Sequence, residues 1–293
     1  MKKALFTAIC LFIGLSMATA QITLSFNPEK GATYQFSMEI LQKIKQNVMG
    51  QELPMNMNLS TTYTMSIVEK NNDGVKASFL YKDLYYEMSS AMMNMKYDSK
   101  NPTANANAMD AIMAKIFGAM IDKKFEAVIA LDGTVKSVTG MDAILEDMSK
   151  AVGSDMQAAQ IAESLKQQYS NDAMKASLEQ SFKIYPTGKI KPGDSWTVNQ
   201  KNDAAGMAMN TTSTYTLKST DKKSALVDVT SVIDGMDGKL TGTQSGTLKY
   251  DVKTGLVDES NIKQNISGTV TTQGMDIGME LDSDMKVSVK KEK

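Results

Sequence analysis

The sequence predicts an α+β fold: two related, curved antiparallel β-sheet units, with about three helices inserted between them and packed on the apolar face. Three observations carry this expectation. Long runs of alternating apolar and polar residues stand at both ends of the chain, helical periodicity is confined to the middle, and part of the first β-region recurs in the second. The expected layout is a signal peptide over 1–20, a β-unit over 21–103, a helical segment with a short β-hairpin over 104–183, and a second β-unit over 184–293. Residues 21–293 are also compatible with one domain.

The first twenty residues have the parts of a secretory leader. Lys2-Lys3 is basic, Ala4 to Leu15 is apolar, and Ala18-Thr19-Ala20 fits a small-x-small cleavage rule. Cleavage before Gln21 implies an extracytoplasmic protein, periplasmic or secreted. The apolar stretch is shorter than the roughly 20 residues of a spanning helix, and no later segment is apolar enough to span as one. Cys10 lies in the middle of the stretch, out of place for lipidation.

Strand periodicity begins at Tyr34, Phe36, Met38 and Ile40, separated by Gln35, Ser37 and Glu39. It is strongest from Met55 through Met57, Leu59, Thr61, Tyr63 and Met65 to Ile67, with Asn, Ser and Thr between, so one face is buried and the other wet. Asn71-Asn72-Asp73-Gly74 is a hairpin turn signal, and Val75 to Met88 reads as the returning strand. Met109, Ile112, Met113, Ile116, Phe117, Met120 and Ile121 then follow one helix face. A short extended piece, Phe125 to Val138, turns at Asp132-Gly133. Helical spacing resumes at Ile144, Leu145, Met148 and Val152 and runs on through Ile161, Leu165 and Tyr169. Asn171 is positioned to cap a last helix bearing Met174, Leu178 and Phe182. Pro186 and Lys191-Pro192-Gly193-Asp194 end the helical zone, and alternation returns to the C-terminus with turns at Lys222-Lys223, Asp237-Gly238 and Thr254-Gly255.

The recurrence joins the ends. Met57-Asn58 and Thr62-Tyr63-Thr64 reappear 152 positions on as Met209-Asn210 and Thr214-Tyr215-Thr216. Lys96-Tyr97-Asp98 matches Lys249-Tyr250-Asp251 at 153, and Gly31 and Tyr34 match Gly193 and Trp196 at 162. The larger offset implies a longer first hairpin in the N-terminal copy.

Composition narrows the chemistry. All 32 cations are Lys, there is no His, and the single Cys lies in the leader. Thiol nucleophiles, disulfides, Cys/His zinc sites and imidazole-based triads are therefore excluded from the mature chain. A net charge of −1, without Arg, argues against nucleic acid as a partner. Ser219-x-x-Lys222 and Lys253-Thr254-Gly255 echo serine-enzyme motifs, but both fall at turns and lack the intervening Ser-x-Asn. Asp234-Gly235-Met236-Asp237-Gly238 has too few spaced oxygens for calcium. No catalytic residue, cofactor or metal site is assigned. A transmembrane barrel fits poorly, because a helical block interrupts the strands and aromatic girdles are missing. An integral membrane protein is not expected.

Methionine is abundant, 24 of 293 residues. Met55/Met57 and Met207/Met209 set pairs of thioethers on one strand face. Thioethers can hold Cu(I), but the absence of His and Cys weakens that use. Met also fills broad apolar faces and lines deformable pockets. The candidate ligand-binding set is Met55, Met57, Met207 and Met209 on strands, with Met109, Ile112, Met113, Ile116 and Phe117 on the helix, serving as core, lid or ligand wall.

An early Lys30-Gly31-x-x-Tyr34 strand start, a Met- and Thr-rich hairpin, central helices, and Phe182-x-x-Tyr185-Pro186-x-Gly188-x-Ile190-Lys191-Pro192-Gly193-Asp194-Ser195-Trp196 occur in that order. The combination resembles a family of uncharacterised secreted proteins and lipoproteins of Gram-negative bacteria, a domain of unknown function. That resemblance brings no catalytic residues. In architecture the chain is more loosely similar to half-barrel carriers of lipids and lipoproteins, the LolA-like and LppX-like folds, and fold does not imply function. The expected function is non-enzymatic binding of a lipid-like apolar ligand, or of a hydrophobic segment of an envelope partner, between sheet and helices. The alternatives are a structural or envelope-interaction protein with a filled core, and a hydrolase using carboxylates or Ser/Lys.

Overall fold

The computed structural model describes residues 21–292 apart from 92, 103–106, 153–155, 205–206 and 273–274; the expected leader over 1–20, with Cys10, lies outside the described residues. A short strand β1 (Ile22–Thr23) precedes the meander β2 (Thr33–Val48), β3 (Gln51–Asn71), β4 (Gly74–Ser90) and β5 (Asn94–Asp98). The middle holds α1 (Ala108–Gly118), the hairpin β6 (Lys124–Ile129) and β7 (Val135–Thr139), then α2 (Met141–Val152), α3 (Met156–Tyr169) and α4 (Asn171–Phe182). After β8 (Lys189–Ile190) come β9 (Ser195–Ala204), β10 (Met207–Thr220), β11 (Ser224–Gly235), β12 (Leu240–Asp251), β13 (Val257–Thr272) and β14 (Met275–Lys291). The protein is thus β-rich, with a large antiparallel sheet and four described helices where about three were expected.

The sheet is continuous, in the order β7-β6-β4-β3-β2-β14-β13-β12-β11-β10-β9, with β5 on the part of β4 that β6 leaves free. The expectation of two separate curved sheets is corrected here. β14 pairs with β2 from Lys291↔Tyr34 to Gly278↔Asn47 and merges the two meanders. The physical reason is edge satisfaction: β2 and β13 would each present a long unpaired ladder if β14 did not lie between them. The short hairpin expected within the helical segment is β6–β7, and it extends the sheet from β4.

The alternation fixes which face is inside. Odd-numbered residues of β11 from Ala225 to Gly235 are all buried, and inward positions of β3, β4 and β6 carry Met65, Ile67, Ala77, Phe79 and Phe125. The helices lie on this face of the β2–β7 half, where α1 buries Ile112, Met113, Ile116 and Phe117. α4 touches both terminal strands of the sheet, β7 and β9. Eleven strands at ~4.8 Å spacing would put flat edges roughly 50 Å apart, so contact of both with a helix about 18 Å long requires a tightly curled sheet. Gln200 on β9 donates to the carbonyls of Glu179, Gln180 and Lys183 at 3.2, 3.3 and 3.4 Å, capping the last turn of α4.

One end of the curl is sealed by the segment after β1. Phe26 N–H donates to Leu131 O at 2.8 Å, in the β6–β7 turn, and Asn27 N–H to Thr254 O at 2.8 Å, in the β12–β13 turn. Gly255 permits this close approach: its φ is +71°, and a Cβ there would sit 1.8 Å from Ser25 O.

Asn171 does not cap α4, as the sequence suggests. Ser170 does, its Oγ accepting from Ala173 N–H at 3.1 Å. Asn171 instead accepts from Met141 N–H at 3.2 Å and donates to Asp142 at 2.6 Å, closing the first turn of α2.

The two meanders share hydrogen-bonding details. Gly31 N–H donates to Ile67 O at 2.9 Å, and Gly193 N–H to Leu217 O at 2.8 Å. The register shifts just after Ile67 in β3 and just after Leu217 in β10. Tyr34 pairs with Met65 and Trp196 with Tyr215, so the sequence match of Tyr63 with Tyr215 is two residues out of step with the ladder partners. Period-2 strands hide such a slip, because it keeps every residue on its face.

Candidate functional site

The inner face divides along the strands. At the sealed end two clusters fill the space. One joins the helices to β2–β7 and includes Phe26, Leu256 and Val289; the other joins Leu24, Ile184 and Ile190 to β9–β13. Aromatic contacts tie these down, among them Phe26 on Phe182 at 5.0 Å, Phe79 on Phe125 at 4.9 Å and Trp196 on Tyr215 at 5.4 Å. Trp196 also donates Nε1–H to Ile184 O at 3.0 Å, as a core anchor does. Burial pushes the hydroxyl pKa values of Tyr63, Tyr81, Tyr185 and Tyr250 well above the ordinary tyrosine range, so these rings are neutral packing elements.

Toward the other end the inner face opens. Inward residues Ile40, Gln42, Ile44, Met55, Met57, Leu59, Met279 and Leu281 are only half-buried. A third, small cluster of Ile233, Leu240 and Ile266 lies there, flanked by Met209, Met236, Val270 and Met279. The candidate residues are therefore distributed rather than gathered. Ile112, Met113, Ile116 and Phe117 are core, and Met109 packs half-buried against them. Met55 and Met57 are half-buried on inward positions of β3, and Met209 belongs to the third cluster. Met207 begins β10; its side chain lies outside what the structure describes.

Polar residues on the inner face escaped the sequence reading, which followed apolar alternation alone. Gln42, Gln244 and Gln264 are half-buried at inward positions, and Ser283 is 4% exposed with no partner for its Oγ. The available signal was an amide at the center of an apolar set, as Gln42 stands between Ile40 and Ile44.

Two depressions of about 490 and 480 Å³ lie on the opposite, outer face. The first is lined by Glu39, Asp83, Asp98, Glu259, Lys100 and Lys286, the second by Lys43, Glu87, Asp282 and Asp284 among others. Mixed charge on a solvated sheet face accounts for both. In the first, Tyr85 donates to Glu87 at 2.6 Å, and that bond holds the phenol pKa up at about 12. Among the described residues no three His, Cys, Asp or Glu side chains are grouped to hold a metal. Of the serine-enzyme echoes, Ser219 lies near the end of β10 opposite Leu226, whereas Lys253-Thr254-Gly255 is at a turn, where the Lys253 ammonium is paired with Glu29 and Thr254 with Asp251. Asp258, on β13, has its pKa raised chiefly by desolvation. No helix of the described residues is long and apolar enough to cross a membrane.

Comparisons with known proteins bear on the fold. Residues 72–257 match the profile of a family of unknown function, DUF6263. No curated protein matches the sequence. Among solved structures, lipovitellin, in a study of its lipid–protein interactions, is similar at a TM-score of 0.51 and 8% identity over 89% of this chain and 25% of that one. The chain thus spans about a quarter of the lipovitellin chain. The translocator domain of the autotransporter NalP from Neisseria meningitidis aligns over 90% of both chains at 7% identity and a TM-score of 0.34. A DUF1329 family protein from Desulfovibrio piger aligns over 89% of this chain and 84% of that one at 11% identity and a TM-score of 0.17. Neither of these last two is close enough to argue from.

Proposed function

This chain belongs to DUF6263, a family of unknown function, and we propose that it is a non-enzymatic extracytoplasmic protein that holds a lipid-like apolar ligand against the inner face of its sheet. The observation that carries this reading is the half-buried, largely aliphatic inner surface at the open end, set against filled cores at the sealed end. A monomeric chain that had only to bury its core would close such a surface. Met55, Met57 and Met209 form part of the proposed wall, where thioether flexibility suits a ligand of variable shape. Met109, Ile112, Met113, Ile116 and Phe117 belong to the packed core on the same face. The likeness to lipovitellin is one of fold, and its lipid association is consistent with this use of a large curled sheet. The leader read from residues 1–20 supports the location. We further infer that the β2–β5 and β9–β12 meanders are related units, supported by the matched bonds at Gly31 and Gly193.

A filled-core structural role is the second reading. It is favored by one observation: the two depressions described above lie on the polar outer face. Mass spectrometry of a solvent extract from mature protein, purified natively without detergent, separates the two. The expected result is a stoichiometric apolar molecule absent from a control protein prepared alongside. A clean extract from well-folded protein would transfer the assignment to the structural reading.

A further inference from the structure

Six inward residues on adjacent strands face one another directly across the sheet: Ser213↔Ser231↔Gln244↔Gln264↔Ser283↔Gln42. Together they form a polar belt between two apolar rows; a further half-buried amide, Gln46, stands opposite Met279 two rows away. The next inward row on one side runs through Ile262, Met285 and Ile40, and on the other through Ile266, Leu281 and Ile44. Gly246 and Gly242 flank Gln244 on β12 and leave room for Ile262 and Ile266, whose side-chain carbons a Cβ would meet at 2.8 and 2.9 Å.

The belt is unevenly satisfied. Ser213 and Ser231 hydrogen-bond each other at 2.8 Å. The Ser283 hydroxyl is buried without a partner. Gln42, Gln244 and Gln264 are half-buried, and their amides bond to no group among the described residues. Four neighboring strands therefore carry a run of free donors and acceptors roughly 14 Å long, at ~4.8 Å per strand. Aliphatic rows on both sides make this an unfavorable place to leave polar groups without partners. No charged side chain occurs in the belt or in the two flanking rows across β2 and β11–β14. An ionized group inserted here would find no countercharge, and burying it would be strongly unfavorable.

We propose that the belt recognizes a neutral amphiphile. An uncharged ester, hydroxyl or amide group of the acylglycerol type lies across Gln42, Ser283, Gln264 and Gln244, and its hydrocarbon lies on the aliphatic rows. Glutamine suits this role because each amide offers two donors and an acceptor and can rotate to match the ligand. The proposal rests on the apolar-ligand reading and adds to it the class of ligand.

The test uses the delipidated mature chain and three probes of equal or nearly equal chain length: 1-monoolein, 1-octadecene and oleate at pH 8. Retention of each through gel filtration gives relative affinity. The wild-type protein should retain monoolein about tenfold better than either other probe. In the Gln42→Leu/Gln244→Leu/Gln264→Leu variant that preference should shrink to about twofold or less, with octadecene retained undiminished. Ser283→Ala, which removes only a hydroxyl, should weaken monoolein alone by about threefold and guards against misfolding of the triple variant. Equal retention of monoolein and octadecene by wild type overturns the belt but leaves apolar binding standing. Tighter oleate binding overturns the neutral ligand class. Retention of none of the three overturns both this proposal and the reading beneath it.

Discussion

Glu29 joins distant parts of the chain through one carboxylate, which accepts from Lys253 in the β12–β13 turn and from Lys291 at the end of β14. The hydrogen bond from Lys253, then that from Lys291, pull its pKa from the usual 4.5 down to about 2. A depressed folded-state pKa means that the unfolded chain takes up the proton first as pH falls. The stabilization is therefore complete above about pH 4.5 and is lost between there and pH 2. Glu29→Gln should lower the melting temperature at pH 7, with the deficit closing across that window and shrinking in 1 M salt, because the pair is solvent-exposed. A melting deficit of the same size at pH 7 and pH 2 would show that charge is not what Glu29 contributes. At the same scale, Tyr63, Tyr81, Tyr185 and Tyr250 are buried and neutral, and Lys253 of the Lys-Thr-Gly echo is paired with Glu29.

At the element scale, helix ends decide how the middle of the chain is assembled. Asn107 opens α1 with a reciprocal capping box, its Oδ1 accepting from Asp110 N–H at 2.9 Å while Asp110 accepts from Asn107 N–H at 3.1 Å. Asp110 also accepts from Lys96 N–H at 2.7 Å, so one carboxylate both starts the helix and fixes it to β5. Ser170 and Asn171 are both good cap residues, and a sequence cannot say which helix each serves. Asn171 stands 30 positions from Met141, the N–H it receives, and couples the starts of α2 and α4. Asn171→Ala should cost about 1 kcal/mol in urea unfolding with an unchanged slope, and should raise hydrogen exchange in the first turn of α2 rather than of α4. Faster exchange confined to α4 would contradict this assignment. The strands were legible for a simpler reason, since thirteen alternating residues from Met55 to Ile67 leave little choice of face. The match of Tyr63 to Tyr215 was misleading for the same reason: alternation reports the face and is blind to a slip of two.

At the scale of the whole molecule, the segment after β1 holds the curled sheet together. Leu24 is buried in the C-terminal cluster and Phe26 in the N-terminal one, so two residues apart they stitch both cores. Phe26 is fully buried, with its ring edge on Phe182 at 5.0 Å. Phe26→Ala should cost about 3–5 kcal/mol, measured by chemical denaturation, since the cavity opens where the turns and α4 meet. A cost under about 1 kcal/mol would mean that the sealed end is held by the turns alone. The open end is less filled, and the proposed ligand should raise stability with the logarithm of its free concentration once that exceeds Kd.

Local order was set by residue pattern: alternation specified long two-faced strands, spacing specified central helices, and composition removed imidazole and arginine chemistry. These are properties of neighbors in the chain, and side-chain periods of 2 and 3.6 record them directly. What sits beside what was decided only in three dimensions. The insertion of β14 between β13 and β2, the closure of both sheet edges onto α4, and the alignment of Gln42, Ser283, Gln264 and Gln244 into one belt all join residues far apart in sequence. Such pairings depend on satisfying strand edges and burying the shared face of the whole sheet at once, and no window of neighboring residues carries that information.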